Sequence, residues 1–195
     1  NYYIDSGKNL IPIGTQGHLS TFSFHESKNI ICGEGGMLVI NDGRFINRSE
    51  IIWEKGTDRA AFWRGEVGKY LWRDIGSSFL PSEITAAFLY AQLMKMDDIQ
   101  NRRKYIWNKY YNFLNQIVSN VCIRLPFLPD FSTNNAHMFY LVCKSLEQRT
   151  ALIDFLKKNN IHAVFHYSSL HKSDYYLKIT KSENPKLKYS DLYSN

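Results

Sequence analysis

Apolar and polar residues alternate from His18 to Phe24, and a second apolar run, Met37-Leu38-Val39-Ile40, follows the glycine cluster Gly33-Glu34-Gly35-Gly36. The pattern predicts two strands separated by a loop that starts where the first strand ends. From Gly43 to Gly56, Phe45, Ile46, Ile51, Ile52 and Trp53 recur at helical spacing between Asp42-Gly43 and Lys55-Gly56, which predicts a helix. Residues 57–80 keep no steady period. Pro81-Ser82-Glu83 then opens the longest periodic segment, with Ser82 or an adjacent residue as the expected N-cap. Ile84, Phe88, Leu89, Leu93 and Met96 line one face, and Ile99, Ile106, Tyr110, Phe113, Leu114 and Ile117 continue it. This predicts a helix to about residue 118, bent near Asp97-Asp98. Farther on, residues 121–128 and Met138 to Lys144 read as short strands, Leu146 to Asn159 as a helix, and Ile161 to Tyr167 as a returning strand. Strand, strand, helix, strand suits a small α/β sandwich. Beyond Leu170 the chain turns polar and lysine-rich.

Composition narrows the class. With 195 residues, 44% hydrophobic and 22% charged, the chain is long enough for one domain or two small ones and is not disordered. The net charge of +6 favours anionic partners such as phosphates, nucleotides or nucleic acid, without choosing among them. Cys32, Cys122 and Cys143 are widely spaced and form no C-x-x-C pair, which argues against a disulfide framework or structural zinc. No apolar run approaches the length of about 20 residues that spans a bilayer. A cytoplasmic protein is expected, with no membrane partner.

Lys28 is the residue of chemical interest, because the first strand delivers it to a strand end, where α/β proteins place their chemistry. Lysine forms covalent adducts with carbonyl compounds and pyridoxal phosphate when its amine is neutral. The bland alternative is a solvated charge beside Glu26, and Gly33 to Gly36 could equally be a tight turn into a strand. No phosphate-binding P-loop is present: Lys-Ser or Lys-Thr is missing after the glycines, and a strand stands where a helix should open. His162, His166 and His171 have no cysteine or carboxylate cluster to complete a metal site apart from Asp174, so no metal is expected. A binding module for nucleic acid could use Arg102-Arg103-Lys104 with Tyr105 and Trp107. The same helix carries Asp97, Asp98 and an apolar stripe, so its charges read as a solvated face and no nucleic-acid partner is expected.

Taken together, Ser23-Phe24-His25-Glu26-Ser27-Lys28-Asn29 followed by Gly33-Glu34-Gly35-Gly36 and Ile40-Asn41-Asp42 resembles the cofactor segment of the nucleotide-sugar aminotransferases of the DegT/StrS type. Arg64-Gly65-Glu66-Val67, Lys69-Tyr70, Asp74-Ile75-Gly76-Ser77-Ser78-Phe79, Asn135-Ala136-His137-Met138-Phe139-Tyr140 and Ala163-Val164-Phe165-His166-Tyr167 extend the resemblance over nearly the whole chain. It implies part of the pyridoxal-phosphate-dependent transferase fold type I, aspartate aminotransferase-like: the C-terminal part of the large domain over 1–81, a connecting helix over 82–118 and a truncated small α/β domain over 119–195, with the N-terminal half missing. The family's pyridine-nitrogen aspartate aligns just before Asn1, and Asp5 is not in that context. By resemblance, Lys28 is the catalytic lysine that holds pyridoxal phosphate and moves a proton between sugar C4 and the cofactor. Ser23 donates to the phosphate, Arg64, Lys69 and Tyr70 meet the sugar-nucleotide diphosphate, and His166 and Tyr167 meet the sugar. Relatives that dehydrate sugars carry histidine at the lysine position, so Lys28 favours transamination. Leu80 stands where many members place a phosphate-binding asparagine for the neighbouring subunit. The implied reaction transfers an amino group from glutamate to C4 of a dTDP-4-keto-6-deoxyhexose in surface polysaccharide synthesis, by a homodimer. The alternative is a truncated, non-catalytic remnant that binds or dimerises only.

Overall fold

Five residue pairs, from Leu19↔Ile40 to Ser23↔Gly36, join strands β3 (Leu19–Ser23) and β4 (Gly36–Ile40) into an antiparallel hairpin, as the alternation predicts. A smaller hairpin precedes it, β1 (Tyr2–Ile4) against β2 (Leu10–Pro12), and β1 is bonded on its other side to residues 131–133. The computed structural model describes residues 2–4, 7–118, 123–180 and 185–194. They fall into two units, one of Asn1–Trp107 with Leu128–Met138, the other of Asn108–Phe127 with Phe139–Asn195.

In the first unit, Asp42 caps the turn Gly43–Phe45 by accepting from the Arg44 N–H, and helix α1 (Ile46–Trp53) follows. Residues 57–80, aperiodic in sequence, contain a short helix α2 (Arg59–Trp63) and are closed by Asp58. Its carboxylate accepts from the Leu71 N–H and from Arg73 Nε, both at 2.6 Å. Gly56, at φ +79°, lets two backbone stretches cross, because a Cβ there would run into the Asp74 carbonyl.

The long helix divides at Lys95 into α3 (Glu83–Met94) and α4 (Met96–Leu114), two residues earlier than the bend expected at Asp97-Asp98. The Lys95 N–H reaches back three residues to the Gln92 carbonyl, which tightens the turn and ends α3. Ser82 caps α3 as predicted, accepting from the Thr85 N–H. The predicted apolar face does not become a core. No residue of α3 is buried, Ile84 is 84% exposed, and in α4 only Trp107 is buried. A helix apolar on all sides suits the inside of a larger body.

In the second unit, α5 (Leu146–Lys158) forms where expected, with Ser145 accepting from the Gln148 N–H at its start. The three expected strands do not form a ladder among the described residues. One bridge, Arg124↔Val142, joins the first two segments, residues 121 and 122 lie outside the described residues, and 161–167 carry no strand pairing. A strand is held by its neighbours rather than by its own pattern. The polar end holds two short helices, α6 (Asp174–Thr180) and α7 (Lys188–Tyr193). Buried His171 and exposed Lys172 both reach Asp191 of α7, at 2.9 and 2.7 Å. No helix of the described residues is long and apolar enough to cross a membrane.

Candidate active site

The excursion between β3 and β4 carries Lys28 and is held by its own backbone. The Phe24 N–H donates to the Gly35 carbonyl, Glu26 to Gly33, Cys32 to Phe24 and Lys28 to His25. Gly33 turns the chain at φ +82°, a conformation that costs glycine least, and a Cβ on Gly35 would press on Cys32 Sγ. At the strand end, Ser23 Oγ accepts from the His25 N–H at 3.4 Å. His25 Nδ1 accepts from the Ser27 N–H, which leaves Nε2 to face Glu34 at 3.5 Å. Lys28 is half-buried and forms no ion pair among the described residues.

Behind the lysine stands a second set of contacts. Asn29 Nδ2 donates to the Asn135 carbonyl at 2.7 Å and to Gln100 Oε1 at 3.1 Å. Gln100 Nε2 donates to the same carbonyl at 2.5 Å, and Asn29 Oδ1 lies 3.0 Å from His137 Nδ1. Arg103 of α4 donates to the Ala136 and His137 carbonyls, and Trp107 Nε1 to that of Met138. Ala136 sits at φ +50°, rare for alanine, with its N–H on Asn134 Oδ1. Burial pushes the His137 imidazole below the ordinary histidine value, and the charges of Lys28 and Arg103 push the same way. Sequence reading placed Asn29, Asn135 and His137 inside the resembling words but gave them no role. Gln100, one polar residue on a long helix, carried no signal at all.

The other expected site residues fall in two places. Arg64, Lys69 and Tyr70 share the segment after α2. The Arg64 guanidinium is gripped by Glu66 at 2.7 Å and, through two bonds, by Glu50 at 3.0 and 2.9 Å, which raises its pKa and lowers that of Glu66. A diphosphate at Arg64 would therefore have to displace a carboxylate. Lys69 is exposed, and the Tyr70 ring meets Phe62 edge-on at 5.7 Å. His166 and Tyr167 belong to the second unit, both exposed, with their rings 5.5 Å apart. Arg103 and Trp107, which the nucleic-acid alternative needed, are spent on internal carbonyls.

Pyridoxal phosphate fits this donor set at two points. Lys28 offers an amine with no carboxylate partner, and nothing among the described residues takes the proton of the Ser23 hydroxyl.

The family model described as the DegT/DnrJ/EryC1/StrS aminotransferase family matches residues 6–195. Two curated relatives are a dTDP-4-dehydro-2,3,6-trideoxy-D-glucose 4-aminotransferase of Saccharopolyspora spinosa, 28% identical over 84% of this chain and 43% of the relative, and the spore coat polysaccharide biosynthesis protein SpsC of Bacillus subtilis (strain 168), 29% identical over 85% and 44%. Among solved structures, a sugar aminotransferase of Micromonospora echinospora matches with TM-score 0.79 at 19% identity, covering 99% of this chain and 48% of its own. Helicobacter pylori PseC, an aminotransferase involved in the biosynthesis of pseudoaminic acid, matches with TM-score 0.76 at 23% identity, covering 94% and 48%. The chain thus spans less than half the length of the proteins it matches.

Proposed function

Because this chain belongs to the DegT/DnrJ/EryC1/StrS aminotransferase family, we propose that it forms part of a sugar aminotransferase whose reactive amine is Lys28. One observation carries the reading: an unpaired, half-buried lysine on the loop that leaves β3, with the Ser23 hydroxyl at the same strand end. Lys28 Nζ and Ser23 Oγ would hold pyridoxal phosphate, at its aldehyde and its phosphate. When bound, that cofactor supplies the aldehyde and the electron sink for amino transfer. Lys28 Nζ holds and moves the proton at the carbon that is aminated. Lys69 and Tyr70 offer a cation and a ring to a sugar nucleotide, and Arg64 joins them if Glu66 gives way. His166 and Tyr167 are assigned to the sugar.

In its full form, the reaction is amination of C4 of a dTDP-4-keto-6-deoxyhexose with glutamate as donor, by a cytoplasmic homodimer, toward a surface polysaccharide. The partner for the pyridine nitrogen and the wall on which the ring stacks belong to the part of the family's length that this chain does not span. The test is optical. Protein mixed with pyridoxal phosphate should show absorbance of covalently bound cofactor that disappears in Lys28→Ala. Absorbance unchanged by the substitution removes Lys28 from the scheme.

A second reading, a non-catalytic half that binds or dimerises only, is favoured by the uncovered apolar face of α3. Turnover of a keto-sugar nucleotide, restored by supplying the family's N-terminal half in trans, would end it.

A further inference from the structure

The contacts behind Lys28 have a fixed direction that can be deduced atom by atom. A backbone carbonyl only accepts, so the Asn29 atom that faces the Asn135 oxygen at 2.7 Å is the amide nitrogen. The same argument orients Gln100, whose Nε2 faces that oxygen and whose Oε1 must accept from Asn29. Asn29 then presents its oxygen to His137, and an amide oxygen accepts only, so His137 carries its proton on Nδ1. Nε2 keeps a lone pair that has no partner among the described residues.

We propose that Asn29, Gln100 and His137 are positioning residues for Lys28: they clamp the backbone on the C-terminal side of the lysine to α4 and the 135–137 segment, while the His25 carbonyl accepts from the Lys28 N–H. The root of the reactive side chain is thereby fixed on both sides. His137 serves as a donor through Nδ1, not as a proton acceptor from the substrate. Protonating Nε2 as well would add a third positive charge near those of Lys28 and Arg103, and burial opposes it as both of those charges do. The inference rests on the reading of Lys28 as the reactive amine, and its test separates the two.

Heteronuclear NMR of uniformly ¹⁵N-labelled protein near pH 7.5, without cofactor, should show His137 protonated on Nδ1 alone. Asparagine carries its amide nitrogen about where Nδ1 lies, and glutamine about where Nε2 lies. The Lys28 amide should therefore exchange with solvent roughly tenfold faster in Asn29→Ala and His137→Gln and at the wild-type rate in His137→Asn, with the amides of β3 and β4 unchanged. An Nε2–H tautomer, equal exchange in the asparagine and glutamine variants, or an unaltered Lys28 amide in Asn29→Ala overturns the proposal. If Asn29→Ala fails to fold, the two His137 variants decide. Borohydride trapping of pyridoxal phosphate with peptide mapping is the second arm. Wild-type protein that takes no label at Lys28 fails the aminotransferase reading while the clamp stands on its NMR result. Equal labelling of Lys28 in His137→Gln and His137→Asn denies the clamp any role for the amine.

Discussion

His137 and Trp107 lie within one run of contacts and respond to different perturbations. The imidazole is held below its ordinary value, so between the folded and unfolded values the unfolded chain binds the extra proton more readily. Stability is therefore whole above about pH 6.5, the unperturbed histidine value, and declines as pH falls through the window beneath it. A thermal midpoint that drops between pH 7 and 5.5 in wild-type protein should drop less in His137→Asn, as calorimetry would show. Trp107, 5% exposed, fills space and also donates to the Met138 carbonyl. Trp107→Phe keeps most of the volume and loses the donor, which should cost about 1 kcal/mol, whereas Trp107→Ala should cost roughly 3–5 kcal/mol in urea titrations. Neither role was legible in sequence, where Trp107 read as one aromatic among basic residues. Burial and a carbonyl partner 31 positions away are properties of the fold.

At the scale of elements, what could be read from the chain was local. The β3–β4 pair, α1, α5 and the cap at Ser82 form because alternation, helical period and a hydroxyl before an acidic first turn act within a few residues. Among the described residues, the strands expected over 121–128, 138–144 and 161–167 form no ladder where a partner strand was needed, and the order inside 57–80 was hidden because it rests on Asp58 reaching across 13 and 15 positions. The N-H donor of Leu71 and the Arg73 guanidinium hold the Asp58 carboxyl below its usual range. That contribution is present above about pH 3.9, the ordinary aspartate value, and is lost as pH falls through the folded one. Two substitutions test these elements. Ser82→Ala should cost about 1 kcal/mol through the lost cap, measured by denaturant unfolding. Gly56→Ala must both leave its left-handed conformation and push the Asp74 carbonyl aside, so limited proteolysis should cut within 57–78 at a protease level that spares wild-type protein.

For the molecule as a whole, the decisive property is apolar surface without cover. Family and fold type were legible because several words recur in order along the chain, and the long helix was legible as apolar. What covers that helix was not, since a sequence carries no record of surfaces supplied from outside it. Exposed Ile84, Phe88, Leu93 and Met94 on α3, with Trp72 80% and Ile75 88% exposed nearby in sequence, exceed what a soluble monomer leaves open. The chain alone should bind a hydrophobic dye and self-associate with rising concentration. Ile84→Lys should reduce both without lowering the unfolding midpoint, because that side chain is 84% exposed in the chain as it stands. A fall in midpoint would mean that α3 already has a partner face.

The two anchors of Lys28 lie at very different distances along the chain. His25 is three positions back, but the Asn135 carbonyl that holds Asn29 is 106 positions beyond it. During synthesis the near anchor emerges with the lysine, and the far one only after more than a hundred further peptide bonds have been made. The amine therefore gains its final bearing late, and free aldehydes meet an unaimed side chain on the nascent polypeptide.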